Sequence, residues 1–244
     1  MNILDKKMMA NRQSNSYQRM MEYYDDLLTG RKWWSRIYMR FIWNEDTNLL
    51  ARKVLDLIPD DFRGRLLDVP VGTAIFTAEK YRQMKDAEIV GLDYSEEMIA
   101  IAALRKEIEG IANLSLEQGD VGELPYANEI FDCVLSMNGF QAFPEKEKAF
   151  AEIFRVQKPG GCFCGCFYVK GERRLADLFV KKVMERKGFF HHPYDTFAEA
   201  ESRLRSMYGD DVLTEKMASV CLFRCVKPQR ESTENEQYPP NIRL

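Results

Sequence analysis

Leu66-Leu-Asp-Val-Pro-Val-Gly-Thr-Ala-Ile-Phe76 is a short apolar run that stops at an acid, crosses a tight turn and re-enters an apolar pattern. The run reads as a buried strand over 65–69, Gly72 marks the turn, and the spacing beyond it predicts a helix over 73–84. Strand–loop–helix units of this kind assemble into parallel sheets, and such sheets take ligands just beyond the carboxyl ends of their strands. Asp68 stands at that end. Gly72 lets the backbone pass close to a ligand, and Asp68 is placed to accept a hydrogen bond from a ligand ammonium through the loop.

Downstream the alternation continues. A second strand over 88–93 ends in Gly91-Leu-Asp-Tyr-Ser95, and Ser95 caps a helix over 95–109 with Glu96 and Glu97 in its first turn. Asp93 follows Gly72 by 21 residues, close to the separation of about 20 at which an acid receives the ribose hydroxyls of a nucleoside. A third strand over 114–118 leads into Gly119-Asp-Val-Gly-Glu-Leu-Pro125, where Asp120 can take the exocyclic amine of adenine and Val121 can pack on its ring. Three acids at three successive strand ends point to nucleoside binding.

The stretch 131–136 is apolar enough for a strand buried on both faces. Pro144 opens a helix ending near Val156, and Lys158-Pro-Gly-Gly161 turns the chain into a strand over 162–168. The rhythm then breaks. A helix over 171–187 closed by Gly188 and a helix from the capping box Thr196-Phe-Ala-Glu199 to Tyr208 form an insertion over 171–209. Two strands, 212–218 and 219–226, follow as antiparallel neighbours. The fold class is α/β, with a Rossmann-like, mostly parallel sheet and right-handed crossovers.

Upstream, residues 1–45 are dense in aromatics from Tyr17 to Trp43 and read as a helical cap that must lie on the domain. A helix over 44–58 follows, with Leu50, Val54, Leu57 and Ile58 on one stripe. The domain proper covers 46–227, and 228–244 has little to bury and reads as disordered. A formal net charge of −3 argues against wide contact with nucleic acid, which needs a cationic excess. No segment approaches the roughly 18 uncharged apolar residues of a membrane span, and the N-terminus has no signal-peptide pattern. Six cysteines lack disulfide-scaffold spacing; Cys162, Cys164 and Cys166 alternate onto one sheet face as small apolar fillers. A reducing cytoplasm and no metal are expected.

Four runs, LLDVPVGTAIFT, GLDYSEEMI, GDVGELPYANEIFDCVLS and FAEIFRVQKPGG, within 54–169, together resemble the class I S-adenosylmethionine-dependent methyltransferases. The branch is the one that holds the ubiquinone/menaquinone biosynthesis enzymes. The resemblance implies seven strands in the order 3-2-1-4-5-7-6, the last antiparallel, with helices on both faces. It implies S-adenosylmethionine as methyl donor, with Asp68 and Gly72 at its methionine part, Asp93 at the ribose and Asp120 with Val121 at the adenine. Ser136 would lie near the sulfonium, and Val69, Pro70, Thr73, Tyr94, Met98, Gly119 and Met137 complete the donor site.

Departures are visible. The family's G-x-G-x-G loop has Pro70 and Ala74 in place of its first and third glycines, a change that speaks against a dinucleotide. Gln141 stands where many relatives carry a histidine, and the Asn-Pro-Pro-Tyr signature of many nitrogen methylators is missing.

The acceptor pocket is expected between the aromatic N-terminal region and the insertion, lined by Tyr24, Trp33, Trp34, Asn138, Phe140, Gln141, Phe189 and Tyr194. Aromatic walls suit a small flat or greasy acceptor. His191 and His192 are the candidate bases. The reading is methyl transfer to such an acceptor by a monomer or homodimer; a non-catalytic donor-binding protein and a protein or RNA methyltransferase stay open as alternatives.

Overall fold

The computed structural model describes residues 21–22 and 47–229. The cap reading for 1–45, Tyr24, Trp33 and Trp34 included, therefore falls outside the described residues except at 21–22, as does the tail from 230.

Helix α1 (Thr47–Leu55) precedes β1 (Gly64–Asp68), α2 (Ala78–Gln83), β2 (Ala87–Asp93), α3 (Glu96–Glu109), β3 (Leu114–Gln118) and β4 (Phe131–Met137). Then come α4 (Lys146–Val156), β5 (Gln157–Tyr168), α5 (Arg174–Phe179) with a wide π turn over Val180–Met184, α6 (Phe197–Tyr208), β6 (Val212–Met217) and β7 (Val220–Val226). The seven strands lie in the order β3-β2-β1-β4-β5-β7-β6. Strands β1 to β5 pair in parallel, and β7 runs antiparallel to both β5 and β6. This is the topology the sequence implied. The order reverses between β1 and β4, so a crevice opens at their carboxyl ends.

Alternation within the strands creates two apolar faces. Leu67, Val134, Phe163 and Phe223 meet Phe150 and Ile153 of α4 and Leu204 and Tyr208 of α6 on one side. Leu66, Ile89, Leu135 and Leu222 meet Leu50 and Val54 of α1 and Tyr81 of α2 on the other. Each such side chain contributes about 1.5–3 kcal/mol on burial. Cys162, Cys164 and Cys166 share the second face as expected, and Cys133 of β4 joins them, so that the sulfurs of Cys133, Cys162 and Cys164 lie within 4.8 Å of one another. Hydrogen bonding to a neighbouring sulfur, Cys162 for Cys133 and Cys133 for Cys164, and then burial raise both thiol pKa values and favour their neutral form. Strands β4 and β5 run so close that a Cβ on Gly165 would fall 1.9 Å from the Ser136 carbonyl oxygen.

The caps follow the sequence. Ser95 Oγ accepts from the Met98 amide at 3.3 Å, and the Thr196–Glu199 capping box has both of its bonds. Several boundaries move, and the helix read over 44–58 ends at Leu55. The helix read over 73–84 shrinks to α2 because Gly72 and Ala74 are left-handed, with φ of 54° and 55°, and cannot continue a right-handed helix. Pro144 lies outside α4, whose N-cap is Glu145. Strand β5 starts at Gln157, paired with Phe131 across an irregular register, rather than at 162. The helix read over 171–187 widens into the π turn after Phe179 and stops before Gly188, whose φ is 73°.

Candidate functional site

The crevice is built around one loop. Its backbone is stitched to both neighbouring strands: the Val69 amide donates to the Leu135 carbonyl at 2.9 Å and the Val71 amide to the Leu92 carbonyl at 2.9 Å. Val69 is buried, the Val69–Pro70 peptide is cis, and Thr73 is buried with its carbonyl accepting from Arg105 Nε at 2.8 Å. Asp93 supplies the central tie. Its Oδ2 accepts from the Gly72 amide and its Oδ1 from the Ser95 amide, each at 2.9 Å. One carboxylate thus fixes the glycine turn after β1 and the first turn of α3 after β2.

Asp68 lies behind the loop, 1 % exposed, with its Oδ2 accepting from the Tyr81 hydroxyl at 2.8 Å. Burial pushes its carboxyl up to about 7, against the Tyr81 hydroxyl, with the Asp93 charge adding to the rise. Burial also raises Asp93, against its backbone hydrogen bonds. The two acids therefore feel each other across the turn. Asp68 does not face solvent; it lies beneath the loop, bonded to α2 through Tyr81.

Around them, the Gly119 amide donates to the Asp93 carbonyl at 3.0 Å, and a Cβ on Gly119 would press on Leu92 at 3.0 Å. Asp120 is exposed and its Oδ1 accepts from the Gly122 amide at 2.8 Å, while Val121 is buried with the core. Tyr94 is 77 % exposed, its carbonyl held by Gln118 Nε2 at 3.1 Å, and Met98 is half-buried on α3.

Fit to a nucleoside follows from this geometry. Each Asp93 oxygen has two lone pairs and spends one on the backbone amide named, which leaves acceptor capacity for a diol. A Cβ on Gly72 would meet nothing within 4 Å, so the space beside the turn is open. The residues suit the donor that the resemblance implies.

At the end of β4 one expectation changes. Ser136 is fully buried, and Gly139 closes over it: a Cβ there would lie 2.4 Å from Pro70 Cδ and 2.8 Å from Ser136 Oγ. Ser136 is therefore a packing residue under the loop, not a wall of the crevice. Phe140 is a core side chain, stacked on Phe150 with centroids 4.0 Å apart, and with Gln141 and Tyr194 it also lines a small cavity. Met137 is half-buried against the second face. Asn138 is exposed with φ 55°, and its Oδ1 accepts from Gln141 Nε2 at 3.3 Å. Gln141 is buried and its Oε1 accepts from the Tyr168 amide at 3.2 Å, tying this loop to the end of β5.

The insertion docks here. The His191 amide donates to the Gln141 carbonyl at 2.8 Å, and Lys146 Nζ donates to the His191 and Phe143 carbonyls. Burial holds the Lys146 amine down to about 8, with Asp195 opposing. Tyr194 is buried edge-on against Tyr168, His192 is exposed, and Phe189 points into solvent. A small cavity lies between Gln141, Phe167, Tyr168, Tyr194 and Asp195. Sequence reading missed Tyr81, Gly139 and Lys146, because their roles depend on contacts across 13 to 69 positions of the chain; the Gly139–Pro70 approach is one such contact.

A seven-stranded sheet of this order, with an acid-anchored glycine turn at the strand reversal, defines a Rossmann-like domain of methyltransferase topology. The chain belongs to the methyltransferase-domain family, whose model matches residues 62–212. It is 36 % identical over 110 residues to a demethylmenaquinone methyltransferase of Thermus thermophilus, covering 45 % of this chain and 50 % of that protein. A Geobacillus kaustophilus demethylmenaquinone methyltransferase is 28 % identical over 158 residues, covering 62 % and 67 %. Over the Thermus protein the match thus spans half the relative's length. Among solved structures, YcgJ of Bacillus subtilis superposes with a TM-score of 0.59 at 15 % identity, covering 74 % of this chain and 99 % of that one. Phosphoethanolamine N-methyltransferase 2 of Haemonchus contortus, in complex with S-adenosylhomocysteine, gives 0.63 at 20 %, covering 73 % and 52 %. The [4+2]-cyclase SpnF gives 0.62 at 20 %, covering 77 % and 83 %. The structural likenesses establish the shared fold.

Proposed function

We propose that the chain binds S-adenosylmethionine in the crevice after β1, β2 and β3 and directs its methyl group to a small apolar or aromatic acceptor. The observation that carries this is the Asp93 carboxylate, which bridges the Gly72 and Ser95 amides beside an open turn. In this reading Asp93 accepts the ribose hydroxyls, Gly72 admits the methionine part, and Tyr94, Gly119, Asp120 and Val121 bound the adenine. Asp68 contributes negative field beneath the ligand's ammonium. When bound, the donor supplies a methyl group made electrophilic by its sulfonium.

The protein's own work is then positioning and exclusion of water, effects worth several kcal/mol of barrier, on the order of 7–11 in the best-oriented cases. Asn138 and Gln141 at the β4 loop and Tyr194 in the docked insertion frame the acceptor side. His192, exposed at the edge, and His191, whose amide holds the insertion, are the imidazoles available to take a proton; an acceptor that is already anionic needs neither.

The reading is tested by incubating the full chain with methyl-labelled S-adenosylmethionine and a demethylated naphthoquinone, the acceptor class named for the sequence relatives. Label in the quinone, lost at least about a hundredfold in Asp93→Asn, supports it. Donor binding without label in the quinone or in any compound of a metabolite extract supports a donor-binding protein instead. That second reading is kept open by SpnF, named a cyclase on the same fold.

A further inference from the structure

The run from Arg174 through Met184 has two unlike sides. Ala176 and Val180 face inward, where Val180 joins Tyr168 and Tyr194 with Met184 and Phe190 against them. Leu175 and Leu178 face outward, 63 % and 52 % exposed, and Phe189 beyond Gly188 is 56 % exposed. Among the described residues seven large apolar side chains are exposed, and these three fall within fifteen positions. Leu175 and Leu178, three positions apart, share one helix face, and Phe189 adds a third apolar side chain to the same insertion.

Charge is segregated in the same way. Residues 173–187 carry six cations, Arg173, Arg174, Lys181, Lys182, Arg186 and Lys187, against two acids, in a chain of net charge −3. Both acids are half-buried: Asp177 accepts from the Tyr168 hydroxyl at 2.6 Å and the Gly171 amide at 3.1 Å, and the Glu185 charge lies near enough to Tyr194 to add to the rise that burial gives its hydroxyl pKa. Of the cations, all but Arg173 are exposed.

We propose that this outer face of the insertion is a docking surface for an anionic lipid bilayer. Exposed leucines and a phenylalanine flanked by lysines and arginines are the pattern of a helix that lies in the headgroup plane. No helix among the described residues is long and apolar enough to cross the bilayer, so the attachment is peripheral. The chain's own N-terminal segment is a poorer occupant: residues 1–46 hold eight cations and six acids and would bring like charge to this face. A second copy would oppose the same cations to themselves, and a nucleic acid would leave the three apolar side chains unmatched. The insertion is tied to the β4 loop by the His191–Gln141 bond and to the end of β5 by the Tyr168–Asp177 bond, so docking brings that loop to the lipid boundary.

Flotation of the full chain with vesicles tests this without donor or acceptor, so its failure is separate from any failure of the methyl-transfer reading. The chain is expected to float with phosphatidylcholine vesicles containing about one third phosphatidylglycerol and not with phosphatidylcholine alone, and raised salt should release it. Lys181→Gln with Lys182→Gln should weaken partition about twenty-five-fold, at about fivefold per charge. Leu175→Ser with Leu178→Ser should weaken it at least about tenfold. All four side chains lie outside the core, so the thermal midpoint of both double variants should stay at the parent value, which separates lost docking from lost folding. Equal binding to neutral and anionic vesicles, undiminished binding by both double variants, or displacement of the chain from vesicles by duplex DNA would overturn the proposal.

Discussion

The loop after β1 and the insertion after β5 both pack against the loop after β4, through Pro70 on Gly139 and His191 on Gln141, and are built on opposite principles. The first is fixed from within: Val69 and Val71 are bonded to the adjoining strands, and Asp93 joins Gly72 to Ser95. The second is anchored at a few points and turns leucines, a phenylalanine and cations outward. A site that must hold a donor in one pose needs pre-organised backbone, whereas an element that meets variable surfaces needs exposed side chains on a moderate anchor. The difference teaches where rigidity resides in this molecule.

Four perturbations sharpen or break that contrast. The largest effect is expected from Gly139→Ala, whose methyl would collide with Pro70 Cδ at 2.4 Å and displace the loop from below. Overpacking of this kind costs about 1–3 kcal/mol, so thermal unfolding should shift down and donor affinity should fall with it. An unchanged midpoint would mean that the two loops are not packed as tightly as described.

Protonation of Asp68 comes next. Its pKa rises on folding to about 7, so the folded state holds a proton that the unfolded state has released between roughly pH 4 and 7. Stability of the free protein should therefore fall as pH rises through that window, by up to about 1.4 kcal/mol per unit. Asp68→Asn should flatten the dependence in denaturant titrations. Because a cationic ligand favours the charged form, donor affinity should weaken as pH falls below about 7 in the parent and stay level in the variant.

Lys146→Gln tests the anchor of the insertion. Losing the donor to the His191 and Phe143 carbonyls should cost about 1 kcal/mol and speed amide exchange over 185–195, while the Gly72 and Ser95 amides keep their protection. Loss of protection in both regions would erase the contrast. The smallest effect is assigned to Ala74→Gly: Ala74 sits at φ 55°, where an alanine is penalised by about 1 kcal/mol, and glycine there should be neutral to slightly stabilising in the same unfolding assay.

Much of the strand-tip loop was legible in the chain. Apolar runs ending in Asp68 and Asp93, the cap at Ser95 and the box at Thr196 are local signals, and the sheet order followed from the resemblance they carry. What the sequence could not show were approaches between distant segments. Tyr81 reaches Asp68 only because α2 is short, and it is short because Ala74 takes a left-handed conformation that its identity does not announce. Ser136 reads as a donor-site residue from the resemblance, and the close approach of Gly139 buries it. The insertion's helical spacing was readable, but the π turn was not, since an i→i+5 ladder has no local composition signal.

Amide resonances followed during a titration of the full chain with S-adenosylhomocysteine probe the account at its centre. The Gly72, Ser95 and Gly119 amides should shift together and saturate at one ligand per chain, while those of Leu175 and Leu178 stay in place. Movement of the insertion amides with Gly72, Ser95 and Gly119 unmoved would contradict it.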